Sequence, residues 1–422
     1  MTDRDAFIAA IAANPADDLS RLVFADWLDE HGEPVRAGFI RDQIALTKLR
    51  PGSDEYQALF RRTADTLRAN LPGWVQSVCD AFGQSSEWKP AKARGAGLPI
   101  RFQAAGSGHP LQQVEFARGF IDRVQLRPPS GNGVTALDLL FSEHPITHLT
   151  TFLISGDRWE LIDSPRFQSI RSLHLIATDV RGEADAVFAS HHLGQVTRLT
   201  INTAPLAERL VRSPMARRLT TLRVLPDIDL IAALHEYPLD DRLQEFAVLP
   251  ISIPAAVQAR LPARQYNTAT ELWSALSRVA FRPTLKRLDL TRCWMGDDGL
   301  AAFARGEQWI RLQGLKLGGN QFSDRGWADF ARGWRTPELT YLDASRNRLT
   351  DAAAVALARS SMIQTLRTID LRGCRIGGRG ARALVNAVRS GPLTKLLLAG
   401  NPLKPRDIAA AQKALGERTD VG

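Results

Sequence analysis

The sequence predicts an α/β solenoid, with short parallel strands on one side and helices on the other, preceded by a small all-α domain. Three observations predict it. From residue 285 the chain repeats itself every 27 residues: LKRLDLTRC (285), LQGLKLGGN (312), LTYLDASRN (339), LRTIDLRGC (366) and LTKLLLAGN (393). Within the copies apolar residues alternate as on a strand with one buried face, Leu288 with Leu290, Leu315 with Leu317, Leu396 with Leu398. The second halves, GDDGLAAFARG, SDRGWADFARG, TDAAAVALARS and GGRGARALVNAV, have helical spacing behind a Ser, Thr, Asp or Gly start signal. Strand, turn, helix and return make one coil, and an internal repeat overrides competing readings. Stacked strands lie about 4.8 Å apart and packed helices about 8–10 Å, so such a stack bends into a horseshoe with its strands on the concave face.

Residues 1–82 carry no repeat and read as helices. DDLSRLVFADWLDEHG places Leu19, Leu22, Val23, Trp27 and Leu28 on one face, with an acidic start at Asp17 and Asp18 and a stop at Gly32. Pro34 opens VRAGFIRDQIALTKLR, and SDEYQALFRRTADTLRAN follows. Residues 83–113, rich in Gly, Pro, Ser, Ala and Lys, read as a loop or linker. Looser repeats occupy 114–248, with strands at IDRVQL (121), LTTFLI (149), IRSLHL (170), VTRLTI (196), LTTLRV (219) and LQEFAV (243). The register breaks over 249–284, an irregular repeat or hinge, before the regular repeats and C-terminal cap of 285–422. Asn320, Asn347 and Asn401, with Cys293 and Cys374 at the same repeat position, follow the strand where a side chain can bond the backbone of the neighbouring turn.

The LxxLxLxx(N/C) pattern resembles the leucine-rich-repeat family, in the longer-repeat subclass typified by ribonuclease inhibitor. The string FIAAIAANPADDLSRLVFADWLDEHGEPVRAGFIRDQIAL is similar to the repeat-companion domain that precedes such repeats in planctomycete and myxobacterial proteins. Asp18, Arg21, Leu22, Ala25, Asp26, Trp27, Leu28, Gly32, Phe39, Ile40 and Arg41 carry that likeness. EFARGFIDRVQL (115–126) resembles that family's usual lead into its first repeat. The regular and looser copies together give about ten or eleven repeat units, and the resemblance implies a bacterial source and no established activity.

Composition narrows the function classes. The net charge is +9, but only eight of the 54 basic residues are lysine, the arginine bias of a GC-rich coding sequence. Residues 1–30 hold seven acids against Arg4 and Arg21, an acidic head on a basic body. No leader and no run of about 18 apolar residues occurs, so a cytoplasmic protein with no membrane partner is expected. The three cysteines, Cys79, Cys293 and Cys374, lie in no metal-binding or disulfide spacing.

Asp26, Asp29, Glu30 and His31 could suggest a metal or acid-base site. Consecutive helical residues point about 100° apart, however, so the spacing favours a polar helix face whose acids meet solvent or Arg21, Arg36 and Arg41. IGGRGARAL (376–384) lacks the order of a phosphate loop and fills a turn-to-helix slot of the repeat. His144, His148, His174, His191 and His192 have no zinc-binding spacing, and no nucleophilic motif is present. No enzyme, catalytic residue, metal or cofactor is expected.

The positions pointing from the concave face are the candidate binding residues: Arg287, Asp289, Arg292, Lys316, Tyr341, Asp343, Arg346, Asp370, Arg372 and Lys395. They are mixed in sign, which favours a protein partner over a uniformly negative duplex. Tyr341, Arg346 and Arg372 are the expected anchors. The expectation is a monomeric, non-enzymatic interaction scaffold. Nucleic-acid binding through the arginine-rich surface, including Lys89, Lys92, Arg94 and Arg101, is the alternative. Regulation of a nucleotide hydrolase, by analogy with long-repeat proteins that act on GTPases, is a third reading.

Overall fold

The computed structural model describes residues 2–84, 87–90, 100–104, 109–127, 133–153, 164–177, 184–225, 228–237, 239, 242–250, 271–279, 284–305, 309, 311–334, 336–389 and 391–421. The chain forms two compact units, Met1–Leu199 and Thr200–Gly422. Most of 249–284, and Lys92 and Arg94 of the basic loop, lie outside the described residues.

The first unit begins with helices α1 (Asp3–Ala13), α2 (Leu19–Glu30), α3 (Pro34–Lys48), α4 (Asp54–Trp74) and α5 (Gln76–Ala81). Then come strands β1 (Trp88–Pro90), β2 (Ile100–Ala104), β3 (Leu111–Ala117) and β4 (Phe120–Leu126). They lead into α6 (Gly133–Glu143), β5 (His148–Leu153), β6 (Ser172–Ala177), α7 (Ala184–Ala189) and β7 (Arg198–Ile201), whose last residues belong to the second unit. Gly32, at φ +82°, ends α2, and Pro34 opens α3 as expected.

The buried stripe of α2 differs from the expected one. It consists of Arg21, Phe24, Ala25 and Leu28, whereas Leu19 and Val23 are 67% and 46% exposed. Phe24, Ala25 and Leu28 pack with Ile8 and Ile11 of α1, Ala37, Ile40 and Ile44 of α3, and Phe120 of β4. Each large apolar side chain buried there contributes about 1.5–3 kcal/mol.

The segment 83–113, expected as a loop, supplies β1, β2 and the start of β3 among its described residues. β1 to β4 are antiparallel neighbours, and only from β4 to β5 does pairing become parallel. β3 and β4 are joined by the tight turn Arg118 (φ +51°) and Gly119 (φ +89°). The Gly119 N–H donates to Oε1 of the buried Gln43 at 2.6 Å. A Cβ on Gly119 would fall 2.3 Å from Ile40 Cγ1, so only glycine lets α3 sit on this turn. The expected helical domain is thus packed into the same compact unit as the strands up to Leu199.

The second unit alternates strand and helix: α8 (Ala204–Val211), β8 (Thr221–Val224), α9 (Ile228–Glu236), β9 (Glu245–Val248), β10 (Arg287–Asp289), α10 (Gly296–Ala304) and β11 (Gly314–Lys316). It continues with α11 (Asp324–Gly333), β12 (Tyr341–Asp343), α12 (Asp351–Ala358), β13 (Thr368–Asp370), α13 (Gly378–Val388), β14 (Lys395–Leu397), α14 (Pro405–Leu415) and β15 (Thr419–Asp420). Strands β8 to β15 pair in parallel in chain order, an open α/β solenoid. Leu288, Leu315, Leu342, Ile369 and Leu396 stand in register, so the 27-residue step sets the strand pairing directly.

Two ladders hold the coils together. Asn347 Oδ1 accepts the N–H groups of Asn320 (2.9 Å) and Phe322 (3.2 Å) one coil back, while its Nδ2 donates to Leu317 O (3.1 Å) and Ala344 O (2.9 Å). Asn320 and Asn401 bond in the same way. Cys374 takes this position with a weaker thiol bond to Ala344 O (3.5 Å), and burial pushes its pKa up to about 11. The second ladder runs along the helix starts. Asp297 accepts the Ser323 N–H (2.9 Å), Asp324 the Thr350 N–H (2.7 Å), and Asp351 those of Gly377 (2.7 Å) and Gly380 (2.9 Å). Each carboxylate in one first turn satisfies donors at the start of the next helix.

Candidate functional site

All ten candidate residues lie among the described residues, on or just after strands β10 to β14. Alternation turns Leu288, Leu315, Leu342 and Ile369 into the core and leaves the flanking positions on the opposite strand face. Register sorts these into two rows. Arg287, Gly314, Tyr341, Thr368 and Lys395 form one, and Asp289, Lys316, Asp343, Asp370 and Leu397 the other.

The acidic line has a local structural role. Asp289, Asp343 and Asp370 each accept the backbone N–H two residues on, from Thr291 (3.1 Å), Ser345 (2.9 Å) and Arg372 (3.0 Å). Two are also ion-paired: Asp289 with Lys316 at 3.2 Å, and Asp370 with Arg372 at 2.6 Å. Asp370 is 2% exposed, so it presents Arg372 rather than itself. Arg372 is held above the usual arginine range by its hydrogen bonds to Asp370.

The first row contains one buried residue without a side chain. Gly314 stands between Arg287 and Tyr341; its missing Cβ would lie 3.4 Å from Arg287 Cγ and 3.9 Å from Tyr341 Cβ. The half-buried Tyr341 phenol is pushed above the usual tyrosine range by burial, with the charges of Asp343 and Asp370 adding to it. Glu245, in the same row on β9, bridges Arg223 (2.7 Å) and Arg287 (3.3 Å). Burial opposes its charge, but the two arginines outweigh that and hold its carboxyl below the usual glutamate range. Sequence reasoning missed Arg223, Glu245 and Gly314, although LTTLRV and LQEFAV place the first two at strand-face positions.

Past the strands the backbone turns left-handed at one shared repeat position, at Arg292 (φ +57°), Gly319 (+69°), Arg346 (+55°), Gly373 (+64°) and Gly400 (+75°), with Trp294, Gly296 and Gln321 left-handed as well in the first two coils. Arginine in this conformation is strained by roughly 1–2 kcal/mol relative to glycine. Arg292 and Arg346 are exposed, and neither guanidinium has an ion pair among the described residues. Lys395 is exposed as well.

The acidic knot on α2 is a salt-bridge cluster. Arg41 Nη2 meets Asp26 at 2.6 Å and Asp29 at 2.7 Å. His31 donates from Nδ1 to Trp27 O at 2.8 Å and stacks on the indole with ring centroids 4.0 Å apart. Among the described residues no three His, Cys, Asp or Glu side chains are grouped to hold a metal ion. Of the described basic-loop residues, Lys89 lies on β1, and Arg101 on β2 pairs with Glu115. Among the described residues no helix is long and apolar enough to cross a membrane.

A family model described as leucine-rich repeat matches residues 283–304 and 363–385. A search of the curated proteins found no match. Among solved structures, the yeast Rad7 and Elc1 complex aligns at TM-score 0.48 and 14% identity, over 99% of this chain and 91% of that chain. An internalin, InlF, from Listeria monocytogenes aligns at TM-score 0.34 and 14% identity, over 72% and 87%. Human 5T4, a trophoblast glycoprotein, aligns at TM-score 0.31 and 15% identity, over 60% and 79%.

Proposed function

We propose, from leucine-rich repeats as the premise, that this chain is a non-enzymatic scaffold holding a protein partner on the strand face of its second unit. The observation that carries the reading is the pair Arg292 and Arg346. Both are exposed, unpaired among the described residues, and set in a left-handed conformation that other coils give to glycine. Strain kept where glycine would relieve it points to a use for the side chain. Tyr341, Arg346 and Arg372 then serve as anchors.

Arg287, Asp289, Lys316, Asp343, Asp370 and Lys395 complete the face with both signs of charge, which supports a protein over a nucleic acid. The finer family assignments, ribonuclease-inhibitor-like repeats and a repeat-companion domain, belong to this same proposal. The 27-residue step supports the first, and the burial of Ala25, Leu28, Phe39 and Ile40 supports the second.

The test is retention of proteins from a native lysate of the source organism on the immobilised chain after nuclease treatment. One protein retained by the native chain and lost on alanine at Tyr341, Arg346 and Arg372 is expected. Retention that vanishes with nuclease, or in about 0.2 M salt, would favour the nucleic-acid reading instead.

A further inference from the structure

The first unit contains a partly open cavity of about 200 Å³, lined from α1 to α6 and β4, that the repeats do not account for. Its walls differ in chemistry. Phe24, Trp74 and Phe120 supply apolar surface, and Arg4, Arg36 and His144 supply N–H donors.

Arg36 is 8% exposed, with its guanidinium carbon 4.2 Å from the Trp74 ring centroid and 5.6 Å from that of Phe120. Its Nη1 has no acceptor among the described residues. His144 is 2% exposed and accepts the Ile121 N–H on Nδ1 at 3.4 Å. Its proton therefore sits on Nε2, and that donor too has no acceptor among the described residues. Arg4 Nε is a third such donor. Two carboxylates also line the cavity, Glu33, ion-paired with Arg4 Nη2 at 2.6 Å, and Glu143, which accepts the Ser77 hydroxyl at 3.1 Å; their charges favour the Arg36 cation, but neither bonds Arg36 Nη1, His144 Nε2 or Arg4 Nε. Burial pushes Arg36 down to about 9, with the Arg4 charge adding to it, and pushes Glu143 up.

We propose that this cavity binds a small organic carboxylate whose oxygens take the N–H groups of Arg36, His144 and Arg4 while its apolar body lies against Phe24, Trp74 and Phe120. Three donors without acceptors select a group that only accepts, and a carboxylate matches the guanidinium fork. The volume equals about six or seven waters at ~30 Å³ each, below the ~300 Å³ of the smallest drug-sized sites. The body is therefore one ring or a short chain. The apolar wall is what separates this ligand from inorganic phosphate. The site is independent of the strand face of the second unit.

The test is calorimetric titration of the full chain with benzoate, butyrate and inorganic phosphate, in the native protein and in Arg36→Gln and Gly73→Leu. Gly73 lines the cavity at its exposed edge, and a Cβ there meets nothing within 4 Å, so leucine adds bulk at that edge without removing a charge. One carboxylate is expected to bind at a single site, with phosphate at least tenfold weaker and each folded variant at least tenfold weaker than native. The proposal is overturned if neither carboxylate binds, which makes the cavity a hydration site. Phosphate binding equally well would contradict the apolar body, and binding that survives Gly73→Leu would put the anion elsewhere. If Arg36→Gln does not fold, Gly73→Leu decides.

Discussion

Arg292 lies across Gly319: a Cβ added to that glycine would sit 3.0 Å from Arg292 Cγ. The pair recurs one step on, where a Cβ on Gly373 would lie 3.5 Å from Arg346 Cγ. Arginine and glycine alternate from Arg292 to Gly373 along one line of left-handed turns, and Gly319 and Gly373 each make room for the arginine before them. Gly319→Ala is expected to destabilise the second unit by about 1–2 kcal/mol, through backbone strain at φ +69° and the tight contact together. Urea denaturation followed by tryptophan fluorescence measures it.

Asn347 links two coils through its donors and acceptor at once, so Asn347→Ala strands several buried backbone groups. A loss of about 3 kcal/mol or more is expected. Asn347→Cys should lose less, because Cys374 fills this slot with a thiol bonded to Ala344 O. Equal loss in the two variants by denaturant titration would contradict the ladder account.

These elements differ in how far the sequence disclosed them. The strands and the Asn positions were legible because a fixed 27-residue step forces register and lateral contact together. The stripe of α2 was misread because hydrophobicity favours Leu19 and Val23, while the site for the helix needs small Ala25 and the stem of Arg21. Strands β1 and β2 were hidden in a Gly, Pro and Ala-rich composition, with Ile100 and Phe102 as a short buried alternation. On the candidate face the sequence displayed the charges of Asp289 and Asp370 but not their pairing. That depends on turn geometry and on which residue the register sets alongside.

The Glu245 bridge has a definite pH sign. Unfolded glutamate takes up its proton near pH ~4.3, while Glu245 in the fold does so at lower pH because of Arg223 and Arg287. Its contribution is therefore complete above that unfolded value and is lost as pH falls through the folded one. Glu245→Gln should destabilise by about 1 kcal/mol or less at pH ~7 and make no difference once both forms are protonated. Urea midpoints at about pH 7 and pH 3 for both proteins measure this.

Arg346→Gly separates stability from binding. Glycine relieves the φ +55° conformation, so the variant should be as stable as the native chain or more stable by up to about 1 kcal/mol. Loss of stability instead would mean that the guanidinium holds the fold. Thermal unfolding of the single variant distinguishes the two.

The most direct test of the central claim is retention of the nuclease-resistant partner on immobilised Arg292→Gly/Arg346→Gly beside the native chain. Retention reduced at least tenfold, on a protein that unfolds no earlier than native, is the expected result. Undiminished retention on the doubly substituted chain would contradict the assignment of this strand face as the binding surface.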